Sequence, residues 1–210
     1  MKTEATSGGV DRWLGRGLLA ALLVGVAGLL YVIGAASIKP DDGSPKPASA
    51  RELQALAKGQ LAGLEAPTGP RPAPETPITG PDGGTLRLAA YEGEVLVVNL
   101  WATWCAPCLT EMPSLARLQQ AAPAGVRVIP VSVDGPNQLD RAKAFIGENA
   151  PLQFHHSAEA ALAWALEAKG FPTTIIYDRQ GRERARLAKP AEWDAPEVIA
   201  LLDRLAAEPA

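Results

Sequence analysis

Short apolar runs and amphipathic stretches alternate along the second half of the chain. Residues 95–100 and 127–133 are rich in β-branched side chains, and each of these runs predicts a buried strand. Residues 173–177 have the same character and are followed by the turn-forming residues 178–181, so residues 182–188 are predicted to be the returning strand of a hairpin. Strands that alternate with helices and end in a hairpin form an α/β fold with a mixed sheet.

Helical spacing of apolar side chains indicates where the helices lie between these strands. The predicted helices run from just after Cys105 to about residue 121, and over residues 138–147, 158–168 and 196–207. Gly170 is expected to cap the third of them, because glycine tolerates the left-handed conformation that follows many helices. Shorter patterns predict an edge strand at residues 85–88 and a short strand at residues 152–155.

The N-terminal part of the chain has a different pattern. Residues 1–16 form a short polar segment, and residues 17–38 then contain no charged side chain. Because about 20 apolar residues are enough to cross a bilayer as a helix, we predict that residues 17–38 are a transmembrane anchor. A cleaved signal peptide is the alternative, although its apolar core is usually only about 7–15 residues long. Positive charges are nearly balanced on the two sides of this run, so they do not decide its orientation.

Residues 39–77 are rich in proline and glycine, which is typical of a linker. Within them, residues 51–65 have leucine and alanine at helical spacing. This stretch is expected to form a short helix, either docked on the folded domain or loose in the linker. The folded domain itself is expected to span residues 78–207.

The chain has two cysteines, Cys105 and Cys108, and they are separated by two residues. They lie where a predicted strand ends and a predicted helix begins. The N-terminus of a helix offers unpaired N–H groups and a partial positive charge, which stabilise a thiolate over a thiol. We therefore predict that Cys105 is the attacking thiolate and that Cys108 is the resolving thiol.

Three other roles for the two cysteines are weaker. A zinc site needs four ligands, but the chain has no second pair of cysteines, and His155 and His156 would point to opposite faces of a strand. A structural staple over two residues would restrain little chain entropy. Cuprous copper is a candidate for a transient state, because it prefers soft thiolate ligands. We expect no resident metal and no cofactor other than the redox-active Cys105–Cys108 disulfide.

Three segments of the sequence match a known family. They are residues 97–108 (VVNLWATWCAPC) with the following Glu111-Met112-Pro113, residues 170–174 (GFPTT) and residues 190–193 (PAEW). Through these segments the chain resembles the thioredoxin superfamily, and within it the TlpA-like membrane-anchored thiol–disulfide oxidoreductases. The resemblance implies a thioredoxin-like fold, with a central mixed β-sheet flanked by helices and preceded by a single N-terminal transmembrane helix.

The resemblance also implies residues that bind the substrate. In thioredoxin-like proteins the proline that matches Pro172 follows a cis peptide bond and lies against the cysteine pair, so we expect a cis Phe171–Pro172 bond instead of the usual trans isomer. Trp104, Phe171 and Pro172 are then expected to bind the substrate polypeptide. Phe171 departs from the threonine or valine that other branches have there, and its ring either narrows the choice of partner or only packs.

Glu111 lies three residues after Cys108, so the two side chains are neighbours on one face of the helix. A partly buried carboxylate there would exchange protons with Cys108, and related membrane-anchored reductases have a glutamate at this position. The alternative is an ordinary solvated glutamate. Asn99 departs from thioredoxin, which has a buried aspartate at the matching position. Because asparagine does not titrate, a proton relay would use Glu111 or water.

The resemblance implies a reductant of protein disulfides that faces the periplasm and is attached to the inner (cytoplasmic) membrane by a single span. Its expected partners are exported client proteins with cysteine pairs and a membrane thiol electron donor. Relatives of this kind keep copper-site cysteines reduced during cytochrome oxidase assembly, which is the expected role. The alternatives are reduction of apocytochrome c before haem attachment, and a copper-binding assembly factor. No nucleic-acid partner is expected, because the net charge of −3 at pH 7 implies no large basic surface.

Overall fold

The computed structural model describes residues 47–209 of the 210-residue chain. The predicted polar segment 1–16 and the predicted transmembrane anchor 17–38 lie outside the described residues. Within residues 47–209, no helix combines the length and the apolar character that crossing a bilayer requires.

Seven strands of the described residues form one sheet, in the order β2-β1-β5-β4-β3-β6-β7. The strands are β1 (Ile78–Thr79), β2 (Thr85–Leu86), β3 (Val95–Trp101), β4 (Val126–Ser132), β5 (His155–His156), β6 (Thr173–Tyr177) and β7 (Glu183–Leu187). The central strand β3 is parallel to β4 and antiparallel to β6, and β6 forms the predicted hairpin with β7. The sheet is therefore mixed, as predicted.

Five α-helices accompany the sheet in the described part of the chain. They are α1 (Ala50–Ala55), α2 (Ala106–Ala121), α3 (Leu139–Glu148), α4 (Ala161–Ala165) and α5 (Pro196–Ala206). Helix α2 follows β3 almost directly, and Cys105 is its N-cap residue. Pro107 lies in the first turn of α2, where a missing N–H is tolerated. The junction between β3 and α2 thus places both cysteines at one end of the sheet.

All seven residues of β3 are buried. A strand that is covered on both faces must be apolar on both, which explains why residues 95–100 form an almost continuous apolar run. Asn99 is the exception, and its side chain is fully buried. Leu100 of β3 pairs with Thr173 of β6, so the segment that precedes β6 lies at the same end of the sheet as the cysteines.

The predicted helix over residues 158–168 is wrong in its extent. The chain forms a 3-10 turn at Ala158–Ala160 and then only the short helix α4. Glu167, and not Gly170, takes the left-handed conformation after this helix, with φ of 53°. The N–H groups of Glu167 and the following residue bond back to carbonyls of α4. These two bonds close the helix end, so the apolar spacing beyond it does not continue as helix.

Two predicted strands are shorter than expected because the chain turns away from the sheet. The edge strand at residues 85–88 pairs only over β2, after which Leu88 enters the core at the start of a 3-10 turn. Of the strand predicted at residues 152–155, only His155 is in a strand. It forms the two-residue strand β5 with His156, and β5 pairs with β4.

The stretch expected to be a linker is docked on the domain over much of its described length. Helix α1 is shorter than the predicted helix over residues 51–65. Three leucines of the stretch are buried: Leu53, Leu61 and Leu64. Glu65 exchanges both backbone hydrogen bonds with Arg186 of β7. Of the two arrangements considered for this stretch, the structure has the docked one, because burial removes the leucines from water.

A buried ion-pair cluster connects the start of this stretch to the C-terminal end. Glu208 accepts the N–H of Ala48, at 2.7 Å between the two atoms, and it pairs with Arg184. The Arg184 guanidinium also donates to the carbonyl of Ala48 and contacts Asp178. Arg184 is next to Glu183, which pairs with Tyr177 of β6. Tyr177 in turn pairs with Leu96, near the start of β3. The cluster is therefore at the end of the sheet opposite the cysteines.

Replacing Arg184 by methionine is expected to lower the free energy of unfolding by about 3 kcal/mol, because it leaves the buried Glu208 carboxylate without its closest ion-pair partner and removes one of two cations from Asp178. The side chains of Glu208 and Asp178 are only 3% and 2% exposed. The matched control is Arg182→Met, because Arg182 also pairs with Asp178 but is 44% exposed, and its loss should cost less than about 1 kcal/mol. Chemical denaturation of the full-length chain measures both values, and equal losses would contradict the prediction.

Candidate active site

The two cysteines form a disulfide at the point where β3 ends and α2 begins. The sulfur of Cys105 accepts the backbone N–H of Cys108 at 3.3 Å. Cys108 is fully buried in the first turn, whereas Cys105 is 6% exposed and lies between the exposed Trp104 and Ala106. A sulfur that caps a 16-residue helix has an N–H donor and a partial positive charge beside it, which favours a thiolate. This arrangement suits attack at Cys105.

Asp134, which follows β4, holds the loop that precedes Cys105. Its two carboxylate oxygens accept the backbone N–H of Thr103 at 3.1 and 3.0 Å, and one of them accepts the Thr103 hydroxyl at 2.7 Å. The Ser132 hydroxyl donates to the other oxygen at 2.9 Å. The position of Asp134 in the sequence is a signal for this contact. Neighbouring parallel strands end at the same edge of a sheet, so Asp134, which follows β4, lies near the residues that follow β3.

Trp104, Phe171 and Pro172 are brought together at the cysteine end of the sheet. The rings of Trp104 and Phe171 meet edge to face, with centroids 5.7 Å apart. Trp104 is 58% exposed, and Phe171 is partly buried. The Phe171–Pro172 peptide bond is cis, as predicted. The side chains of Trp104 and Phe171 form an apolar surface next to Cys105, which we call the apolar rim.

Glu111 is almost completely buried, at 2% exposure, so the alternative of a solvated glutamate is wrong. Its Oε1 accepts the side-chain N–H of Asn99 at 2.8 Å. Its Oε2 accepts the indole N–H of Trp193 at 2.8 Å and the backbone N–H of Ala191 at 3.1 Å. Three donors therefore surround a carboxylate that lies one helical turn after Cys108.

Burial raises the pKa of Glu111 from 4.5 to about 7, and the negative charge of Glu192 adds to this rise. The hydrogen bonds from Trp193, Asn99 and Ala191 lower the pKa, because they stabilise the ionised form. A carboxyl group with a pKa near neutrality both accepts and releases a proton near pH 7. The arrangement can therefore store a proton behind the disulfide.

Trp193 and Ala191 are the site residues that sequence reasoning missed. The sequence predicts only packing for Trp193 near the last helix, and its ring is indeed fully buried. Its N–H, however, also bonds to Glu111, which precedes it by 82 residues. The PAEW segment was a signal that this region matters, but a separation of that size does not indicate a contact.

The two histidines have separate partners. Nε2 of His155 lies 2.8 Å from the Tyr91 hydroxyl, and Nε2 of His156 lies 2.9 Å from the backbone oxygen of Asp134. Burial lowers the pKa of His155 to about 4. No group of three or more potential metal ligands occurs within residues 47–209.

Residues 70–185 match the sequence model of the AhpC/TSA family, and the match covers more than half of the 210 residues. The chain belongs to the AhpC/TSA family. The AhpC/TSA match includes the cysteine pair, Glu111 and the cis Phe171–Pro172 bond, and it ends before Ala191 and Trp193.

The proteins similar to this AhpC/TSA chain include the following two relatives and one solved structure. The thiol:disulfide interchange protein HelX of Rhodobacter capsulatus is 35% identical over 139 residues, which cover 64% of this chain and 72% of HelX. The thiol-disulfide oxidoreductase ResA of Geobacillus thermodenitrificans is 28% identical over 112 residues, which cover 52% of this chain and 63% of ResA, less than two thirds of its length. The crystal structure of a secreted thiol-disulfide isomerase from Corynebacterium glutamicum has a TM-score of 0.57 at 24% identity, over 67% of this chain and 92% of that one.

The solved structure supports the fold, and the relatives support the chemistry. The predicted thioredoxin-like α/β fold is confirmed, and so is the prediction of a thiol–disulfide oxidoreductase. The roles assigned to Cys105, Cys108, Glu111 and the apolar rim stay predictions, which the variants described below test.

Proposed function

We propose that this oxidoreductase reduces disulfides in exported client proteins, and specifically those of copper-site proteins during cytochrome oxidase assembly. The observation that supports a protein client is the apolar rim beside the disulfide. Trp104 keeps 58% of its surface exposed although it is a large aromatic side chain. Aromatic side chains that remain exposed next to a reactive group favour contact with a partner polypeptide.

In the reducing direction, the Cys105 thiolate attacks one sulfur of the client disulfide. A bond forms between Cys105 and that sulfur, and the second client sulfur leaves as a thiolate. Cys108 then gives its proton to the Glu111 carboxylate and attacks the sulfur of Cys105. The Cys105–Cys108 disulfide forms, and the client leaves with both of its sulfurs reduced.

Each turnover removes two electrons from the protein, and a membrane thiol electron donor is proposed to return them. The chain has no cysteines beyond Cys105 and Cys108, so the donor would exchange directly with this pair. The proposed location is the periplasmic side of the inner membrane, with residues 17–38 as the anchor. Ala48, near the start of the described residues, is held at the end of the sheet opposite the disulfide.

The experiment that tests this function is a mixed-disulfide trap with Cys108→Ala in the full-length chain in its host. Without the resolving thiol, Cys105 is expected to remain covalently attached to its client. Copper-site proteins of cytochrome oxidase assembly are the expected catch. Capture of apocytochromes with a Cys-x-x-Cys-His segment would show instead that the chain serves haem attachment. The matched control is Cys105→Ala with Cys108→Ala, which should capture nothing covalently.

A further inference from the structure

Within residues 47–209, Asn99 has a buried side-chain oxygen without a hydrogen-bond partner, in a side chain that contacts Glu111. Its side chain is fully buried in β3. The Nδ2 atom donates to Oε1 of Glu111 at 2.8 Å and to the Thr174 hydroxyl at 2.9 Å. Its Oδ1 atom has no hydrogen-bond partner among the described residues. Buried amide oxygens are nearly always paired, so this one calls for an explanation.

The two oxygens of Glu111 differ in how they are occupied. Oε2 accepts two N–H groups, from Trp193 and Ala191, so both of its lone pairs are used. Among the residues that the structure describes, Oε1 accepts from Asn99 alone. A proton that binds Glu111 is therefore expected on Oε1, where it meets the N–H of Asn99.

We propose that Asn99 is a positioning residue for Glu111, and that its side-chain amide turns over when Glu111 takes up a proton. With Glu111 ionised, Nδ2 faces the carboxylate, as in this structure. With Glu111 protonated, Oδ1 takes the place of Nδ2. Oδ1 then accepts hydrogen bonds from the new O–H of Glu111 and from the hydroxyl of Thr174. The Thr174 oxygen is already within hydrogen-bond distance of the present position of Nδ2.

The charge of Glu111 decides between the two orientations. In each orientation, one end of the Asn99 amide has no partner among the described residues. The free-energy cost of that unpaired group is present in both orientations, so it largely cancels when they are compared. What remains is the contact with Glu111: an N–H next to an ionised carboxylate makes a charge-assisted hydrogen bond, whereas a carbonyl oxygen there would be repelled. A protonated carboxyl group reverses this preference because it has a donor to offer.

The groups that act on Glu111 are few. Trp193, Asn99 and Ala191 donate to it, Glu192 adds a negative charge, and Cys108 does not titrate while it is in the disulfide. This inference deepens the proposed function and rests on it, because it is there that Glu111 takes a proton from Cys108. The Asn99 amide then provides a hydrogen-bond acceptor for that proton in a buried site.

Nuclear magnetic resonance of the oxidised full-length chain tests the inference, because neither cysteine titrates in that form. The carboxyl carbon of Glu111 and the side-chain amide of Asn99 are followed together from pH 5 to 9. We expect both signals to shift with one common midpoint near pH 7, where burial places the pKa of Glu111. If the Asn99 amide signals stay constant while Glu111 titrates, or if neither signal moves, the inference is wrong.

Glu111→Gln is the matched variant. Its amide oxygen must accept from Trp193 and Ala191, so its NH2 group faces Asn99 and imitates protonated Glu111. The Asn99 signals of this variant should resemble the low-pH form of the wild type at every pH. Signals that resemble the high-pH form would overturn the inference. Glu192→Gln, which changes an exposed neighbour, should leave the common titration in place. Failure of the proposed function would appear in the client trap and not in this titration.

Discussion

Replacing Cys105 by serine is expected to reduce the rate of thiol–disulfide exchange by at least about 10³-fold, because the reaction then has no nucleophile. The structure supports Cys105 as the attacking sulfur for two reasons. It caps α2 and accepts the N–H of Cys108, so negative charge on it is stabilised. It is also 6% exposed next to the apolar rim, whereas Cys108 is fully buried. The measurement is turnover of a peptide disulfide by the full-length chain.

The matched control is Cys108→Ser, which keeps the attacking sulfur and loses only the resolving one. This variant should react once with the peptide and then accumulate as a mixed disulfide at Cys105, visible as an increase in mass. Two results with the Cys105→Ser variant would refute our assignment: turnover of the peptide disulfide, or a mixed disulfide on its Cys108. Either result would assign the first attack to Cys108.

The Glu111→Gln variant is expected to change how stability depends on pH. In the folded, oxidised chain, burial raises the pKa of Glu111 from 4.5 to about 7. Between these pH values the folded protein holds a proton that the unfolded chain has released, so the free energy of unfolding falls as the pH rises. The total fall attributable to Glu111 is about 3 kcal/mol, and it is complete above the folded pKa. Glutamine does not titrate, so the variant should lose this fall.

The result must be evaluated as the difference between variant and wild type at each pH. His155 contributes a change of opposite sign in an overlapping range, because burial lowers its pKa from 6.5 to about 4. That contribution is common to both proteins and cancels in the difference. Denaturant titrations from pH 4 to 8.5 should show Glu111→Gln gaining stability relative to wild type as the pH rises. Glu192→Gln serves as a control and should show a much smaller trend. A flat difference for Glu111→Gln would contradict the prediction, because it would mean that Glu111 has the same pKa in the folded and the unfolded chain.

This proton equilibrium connects the fold to the proposed chemistry. A carboxylate that was fully exposed would have an ordinary pKa and would hold a proton poorly near pH 7. The helix places Glu111 one turn after Cys108, and the C-terminal segment covers it with Ala191 and Trp193. The site therefore depends on two parts of the chain that are far apart in sequence.

Features that depend on local periodicity could be predicted from the sequence alone. The apolar run at residues 95–100 identified β3, and the helical spacing after it identified α2 with its correct end. The position of the cysteines at the junction of these elements followed directly. So did the neighbourhood of Cys108 and Glu111, because a separation of three residues on a helix determines the geometry. The cis bond before Pro172 was predictable only through resemblance to the thioredoxin superfamily.

Tertiary structure alone decided the features that depend on contacts between distant segments. From the sequence, a docked arrangement of residues 51–65 could not be distinguished from a loose helix in the linker, because amphipathic spacing does not say which surface covers the apolar side. Helix α4 stops before Gly170 because Glu167 adopts a left-handed conformation that residue type does not predict. The burial of Glu111 and its contact with Trp193 likewise required the assembled core, and so did the lack of a partner for Asn99 Oδ1 within residues 47–209. Local sequence determined that Cys105, Cys108 and Glu111 lie together at the start of α2. The packing of distant segments decided how much water reaches Glu111, and this sets the pKa on which its chemistry depends.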